Sequence, residues 1–86
     1  MSAVAQSISV RWFAALVDRT GCAEETVDVE TGADVQVLWQ ALVERHPSLV
    51  DLPFRPLVAC DLDYADWKQS LAGVREVAFL PPVSGG

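Results

Sequence analysis

The residues best suited to chemistry are the last six, Pro81-Pro82-Val83-Ser84-Gly85-Gly86. Gly85 and Gly86 lack Cβ atoms, so this end of the chain is slim enough to thread a narrow channel and bring its backbone close to another protein's catalytic groups. A terminal carboxylate is a poor electrophile, and acyl chemistry at Gly86 therefore requires prior conversion to an activated ester such as an acyl-adenylate. Once activated, a carbonyl with no side chain beside it is open to attack by a sulfur nucleophile. Pro81 and Pro82 cannot continue a sheet ladder and favour an extended polyproline-type exit, which reduces the entropy lost when the tail enters a partner. At ~3.3 Å per residue, six residues reach about 20 Å.

Other constellations are weaker. Asp61-Leu62-Asp63-Tyr64-Ala65-Asp66 begins like a calcium loop, but Ala65 stands where a ligand is required and Asp66 where glycine is required. His46 has no Cys or His at metal-ligand spacing and precedes Pro47, which gives it a helix-terminal role and leaves the chain without an expected metal site. Ser84 has no convincing His and acid partner, so a hydrolase triad is not expected. Cys22 and Cys60 read as reduced thiols, Cys60 as core filler and Cys22 as incidental.

A Gly-Gly end alone is consistent with a frayed terminus, so its meaning depends on what holds it. Ile8, Val10 and Trp12 alternate with Ser9, Arg11 and Phe13, the period of a half-buried strand. A short helical turn from Ala14 to about Thr20 follows, stopped at Gly21, and Thr26 to Glu30 alternates as a second strand. Asp34 is a good N-cap for a helix whose apolar face is Val35, Leu38, Trp39, Leu42 and Val43, and Pro47 ends it. A proline-rich connection with one helical turn near Leu49 leads to a third strand, Leu57 to Leu62, then to an acidic turn. After Gly73, Glu76 to Leu80 forms the last strand.

The order strand, strand, helix, strand, strand predicts an α+β fold, a mixed sheet curled around one amphipathic helix with the first and last strands side by side. This is the ubiquitin-like β-grasp. Residues 1–80 form the domain and 81–86 a flexible tail. The predicted core is Ile8, Val10, Trp12, Val27, Val29, Val35, Leu38, Leu42, Val58, Cys60, Val77 and Phe79. Phe13 and Leu80 then point to the opposite sheet face, where adjacent strands bring them together beside the tail as a partner interface.

Twelve acidic residues against six basic ones give a formal charge of -6 with no Lys or Arg run, which argues against nucleic acid and favours a partner with a basic patch. Met1 to Val10 lacks a secretory pattern and Trp12 to Val17 is too short an apolar run to cross a bilayer, so a cytoplasmic protein with no membrane partner is expected.

The ending Glu76-Val77-Ala78-Phe79-Leu80-Pro81-Pro82-Val83-Ser84-Gly85-Gly86 resembles that of the small subunits of molybdopterin synthase, and weaker similarity runs back to Ile8. Two stretches depart from the family pattern: Gly73-Val74-Arg75 replaces a common Asp-Gly-Asp turn, and Asp61 replaces a common Asn. The resemblance implies a sulfur carrier that is not an enzyme on its own and binds no cofactor. An adenylating enzyme related to ubiquitin activators would use ATP to make an acyl-adenylate at Gly86, and sulfur from a persulfide donor would convert it to a thiocarboxylate. The tail, including Val83, Ser84 and Gly85, would thread into a large catalytic subunit within a heterotetramer and donate sulfur to cyclic pyranopterin monophosphate. The resemblance also adds Tyr64 to the contact surface. Alternatives are a sulfur carrier for thiazole synthesis, a protein modifier that joins Gly86 to lysines, and a plain interaction domain with an inert end; the Pro81-Pro82-Val83-Ser84 stretch favours the molybdopterin carrier over the thiazole one.

Overall fold

A computed structural model describes residues 5–82 of the chain. Strand β1 (Ala5–Trp12) is followed by helix α1 (Ala15–Thr20), strand β2 (Glu24–Glu30) and helix α2 (Val35–Arg45). A 3-10 turn, Pro47–Leu49, leads to β3 (Leu57–Cys60), β4 (Asp63–Ala65) and β5 (Glu76–Leu80). The five strands form one sheet in the order β2-β1-β5-β3-β4. β1 and β5 pair in parallel, with Trp12 opposite Phe79, while β1 with β2 and β5 with β3 are antiparallel. The mixed sheet around one main helix is the expected α+β arrangement.

Local chemistry explains the boundaries. Asp34 is extended and its carboxylate accepts from the Val37 amide at 2.9 Å, satisfying one of the donors that a helix start leaves unpaired. Asp34→Ala should lower stability by about 1 kcal/mol, read as a reduced urea midpoint with an unchanged slope. Gly21 closes α1 at φ 77, a conformation that costs glycine little. His46, at φ -128 and ψ 83, caps the end of α2 through its own amide on the Leu42 carbonyl, the terminal role its place before Pro47 predicts.

Every residue of the predicted core is buried. Leu16, Ala33, Leu49 and Leu71 complete it. Leu71 belongs to a segment without periodicity that lies over the start of α2: Val35 and Gln36 amides donate to the Gln69 and Trp67 carbonyls at 3.1 Å each, and the Leu71 amide to Ala33 at 3.0 Å. These bonds satisfy further donors at the helix start and seal the core there.

The acidic turn after β3 is a correction. The third strand ends at Cys60 rather than Leu62, and Asp63–Ala65 returns as an antiparallel edge strand, Cys60 opposite Asp63. Asp61 and Leu62, at φ 48 and 75, form a two-residue loop with both residues left-handed, the backbone that matches strand twist in a tight hairpin. The Asp61 carboxylate accepts from the Glu76 amide at 2.9 Å and the Arg75 amide at 3.1 Å, so it holds the entry to β5 and is not free to serve a cation.

Cys22 is not incidental either. Glu25 lies on the helix-facing side of β2, and its carboxylate accepts from Trp12 Nε1 at 2.7 Å, Arg45 at 2.8 Å and Cys22 Sγ at 3.4 Å, with His46 Nε2 at 2.7 Å. Burial alone would raise the Glu25 pKa; the hydrogen bonds from Arg45, Trp12, His46 and Cys22 outweigh it and lower the value from 4.5 to about 2. A depressed carboxylate stabilises the fold fully above its ordinary value, and that contribution disappears as pH falls from 4.5 through about 2. Melting temperature followed over this range should fall less steeply in Glu25→Gln than in the parent.

Candidate functional site

β5 controls where the tail departs. Phe79 is fully buried and packs its ring at 5.3 Å from Trp12, 5.1 Å from Trp39 and 5.9 Å from Trp67, centroid to centroid. Offset and tilted ring pairs of this kind add to the area they bury, so the strand is anchored one residue before its end. Leu80 is held in the ladder opposite Leu57, and Pro81 and Pro82 follow outside any strand. Both prolines lack the amide donor that a ladder needs, in keeping with the end of β5 at Leu80. Val83, Ser84, Gly85 and Gly86 lie outside the described residues.

On the sheet face opposite α2, the structure brings together Phe13, Tyr64 and Leu80, the three residues expected to form an interface. They surround a hollow of about 230 Å³ that also includes Arg11, Ala59, Leu62, Glu76 and Ala78. Its shape follows from register. Ala59 and Ala78 are opposite each other on β3 and β5, so two small side chains form the floor while larger ones rise at the rim. Phe13 is 38% exposed, Tyr64 75% and Leu62 87%. Exposed apolar clusters of this kind on an open sheet face are a common feature of contact surfaces.

Charge and backbone point the same way. The Arg11 guanidinium stands 5.7 Å from the Phe13 ring centroid, and Glu76 places the opposite charge on the same rim. Ala14, after Phe13, has φ 53, and Leu62 has φ 75, so two non-glycine residues beside the hollow are held in costly conformations. Leu62 was not anticipated. Its signal was an apolar residue between two aspartates in a tight turn, Asp61-Leu62-Asp63, where a polar residue would serve the fold as well.

The arrangement can dock a partner at the root of the tail. Among the described residues, the lining of the hollow includes no cysteine, serine or histidine. The aspartates of the calcium-like stretch do not converge: among the described residues, the one group of three potential ligand side chains is Cys22, Glu25 and His46. Among the same residues, no helix is long and apolar enough to cross a membrane.

Comparison with known proteins follows the same lines. The chain is 30% identical over 82 residues to the molybdopterin synthase sulfur carrier subunit of Homo sapiens, covering 92% of this chain and 93% of that protein. It is 35% identical over 82 residues to the subunit of the same name from Mycobacterium tuberculosis, covering 92% and 96%. Both relatives are named as carrier subunits. Among solved structures, SAMP1 from Haloferax volcanii superposes with a TM-score of 0.81 at 31% identity, covering 94% of this chain and 100% of that one. Subunits 1 and 2 of the molybdopterin-converting factor from Helicobacter pylori were solved as a complex, and the match there, at a TM-score of 0.59 and 23% identity over 94% of this chain and 100% of that one, bears on the fold alone. The fold is the ubiquitin-like β-grasp. The ThiS family model matches residues 10–86, and the chain belongs to the ThiS family.

Proposed function

We propose that this chain is the sulfur carrier subunit of a molybdopterin synthase and that the Gly86 carboxylate is the atom group it loads. The observation that carries the reading is the exposed apolar hollow of Phe13, Leu62, Tyr64 and Leu80 at the root of a tail whose family match runs through residue 86. A ubiquitin-activator-like enzyme joins the carboxylate to AMP from ATP and releases pyrophosphate. The terminal sulfur of a persulfide donor displaces AMP to give an acyl disulfide, and a thiol then cleaves its S–S bond, releasing the thiocarboxylate and leaving a disulfide between donor and thiol. The loaded tail enters the large catalytic subunit, in a complex of two copies of each chain, and gives its sulfur to cyclic pyranopterin monophosphate.

On this reading the chain binds no cofactor, and ATP is consumed by its activating enzyme. The same apolar face serves both partners in turn, since both must hold the root of the tail while the last glycines occupy an active site. Neither nucleic acid nor membrane is a partner. The setting is the cytosol, in keeping with Cys22 and Cys60 as free thiols. Reconstitution tests the reading: loaded chain, large subunit and cyclic pyranopterin monophosphate together should yield molybdopterin, and the unloaded chain should not.

A second reading draws on the likeness to SAMP1, a small archaeal modifier protein. In it, the activated Gly86 is captured by a lysine amine instead of sulfur. Isopeptide-linked peptides recovered from cells would favour that reading, and a thiocarboxylate without them favours the carrier.

A further inference from the structure

Glu25, Cys22 and His46 come from three separate places: β2, the turn between α1 and β2, and the cap of α2. Their ligand-capable atoms, Oε2, Sγ and Nε2, all lie within 4.8 Å of one another. Both Cys22 Sγ, at 3.4 Å, and His46 Nε2, at 2.7 Å, approach the same carboxylate oxygen. Glu25 pairs with Val10, so the cluster occupies the helix-facing side of the sheet, away from the hollow of Phe13 and Tyr64.

We propose that Cys22, Glu25 and His46 form a site for a borderline-soft divalent cation, zinc being the ion that fits thiolate, imidazole and carboxylate together. A tetrahedral zinc with ordinary bond lengths sets sulfur and carboxylate oxygen about 3.5 Å apart and nitrogen and oxygen about 3.3 Å apart. The sulfur–oxygen pair is already at 3.4 Å, the nitrogen–oxygen pair has to open by about half an ångström from 2.7 Å, and sulfur and nitrogen, within 4.8 Å of each other, have to settle about 3.6 Å apart. On binding, the Cys22 proton leaves to solvent and His46 presents the Nε2 lone pair with its ring proton on Nδ1. Thiolate and carboxylate then balance the charge of the cation.

The surrounding groups orient the Glu25 carboxylate, and a bound ion shares it with them. Arg45 donates to the other Glu25 oxygen, Oε1, at 2.8 Å, and the Trp12 indole donates to Oε2 at 2.7 Å. Trp12 also meets the His46 ring edge-on, 6.1 Å between centroids, which fixes the imidazole. Outer partners of this kind orient metal ligands in proteins. Side chains of His46 and Glu25 keep 15% and 11% of their exposure, enough for an ion to enter and for water to take the fourth position.

The test uses the full-length chain stripped of metal, with cobalt(II) as a spectroscopic probe and zinc as its competitor. One equivalent of cobalt should give a thiolate charge-transfer band that zinc abolishes, and zinc should raise the melting temperature. Cys22→Ser should lose the band, and both Cys22→Ser and His46→Gln should bind zinc at least about tenfold more weakly. Cys60→Ser should behave as the parent, since Cys60 is buried in the core. Serine can keep the hydrogen bond to Glu25, and circular dichroism confirms that each variant is folded. A folded parent without a thiolate band, a band that survives in Cys22→Ser, or one lost in Cys60→Ser would overturn the site, leaving Glu25 as a hydrogen-bonded clamp only.

Discussion

A chain lacking only Gly86 should fold and bind the large subunit as the parent does, yet support sulfur transfer at a rate lower by about a hundredfold or more. Folding is unaffected because the core ends at Phe79 and the ladder at Leu80, well before the deletion. Docking survives because Phe13, Leu62, Tyr64 and Leu80 are untouched. What changes is reach. The truncated chain still ends in glycine, Gly85, but its carboxylate falls short by roughly 3.3 Å, and a misplacement of even 1 Å at a reacting centre is costly in rate. Binding by pull-down and cofactor production in a strain dependent on this chain separate the two properties. Full activity without Gly86 would show that the end is inert.

Phe13→Asp should act in the opposite way, weakening the complex with the large subunit by on the order of a hundredfold in Kd, about 3 kcal/mol, while leaving the fold intact. Phe13 follows the last residue of β1 and is 38% exposed, so replacing it removes little core contact and should shift stability by about 0.5 kcal/mol at most. In the complex, the same position would bury a carboxylate among Tyr64, Leu62 and Leu80. Isothermal titration calorimetry with the purified large subunit measures the loss. Val50→Asp is the control, because Val50 is 72% exposed and lines a different hollow. A folded Phe13→Asp protein that binds normally would remove the hollow from the account.

Much of this architecture was legible because burial imposes periodicity. Ile8, Val10 and Trp12 alternate since one sheet face is dry, and Val35, Leu38 and Leu42 recur at helical spacing for the same reason. Asp34 and Pro47 mark the ends of α2 through local hydrogen bonding and sterics, which need no knowledge of the fold. β4 was hidden. Three edge residues beside two aspartates carry no apolar pattern, and the strand exists because the left-handed pair Asp61-Leu62 turns it back onto β3. Leu71 was missed for a related reason, since its segment is ordered by bonds to α2 rather than by any repeat.

At the site, Phe13 and Leu80 followed from alternation alone, whereas Tyr64 came from the family resemblance and Leu62 from neither. An exposed apolar side chain has no periodic signature, and only the fold shows that Leu62 completes a patch. The Cys22, Glu25 and His46 cluster was illegible for a geometric reason: the three are joined across β2, the α1 turn and the α2 cap, with Glu25 and His46 21 positions apart. Spacing rules for metal ligands capture pairs within a turn and miss those assembled by tertiary packing.

Intact-mass analysis reads the loading of the Gly86 carboxylate directly. Full-length chain incubated with ATP, a sulfur source and its cognate activating enzyme should gain the mass of one oxygen exchanged for sulfur, with fragmentation assigning the change to Gly86. An unchanged mass under conditions in which the activating enzyme hydrolyses ATP on a known carrier, or sulfur found on Cys22 or Cys60 instead, would contradict it.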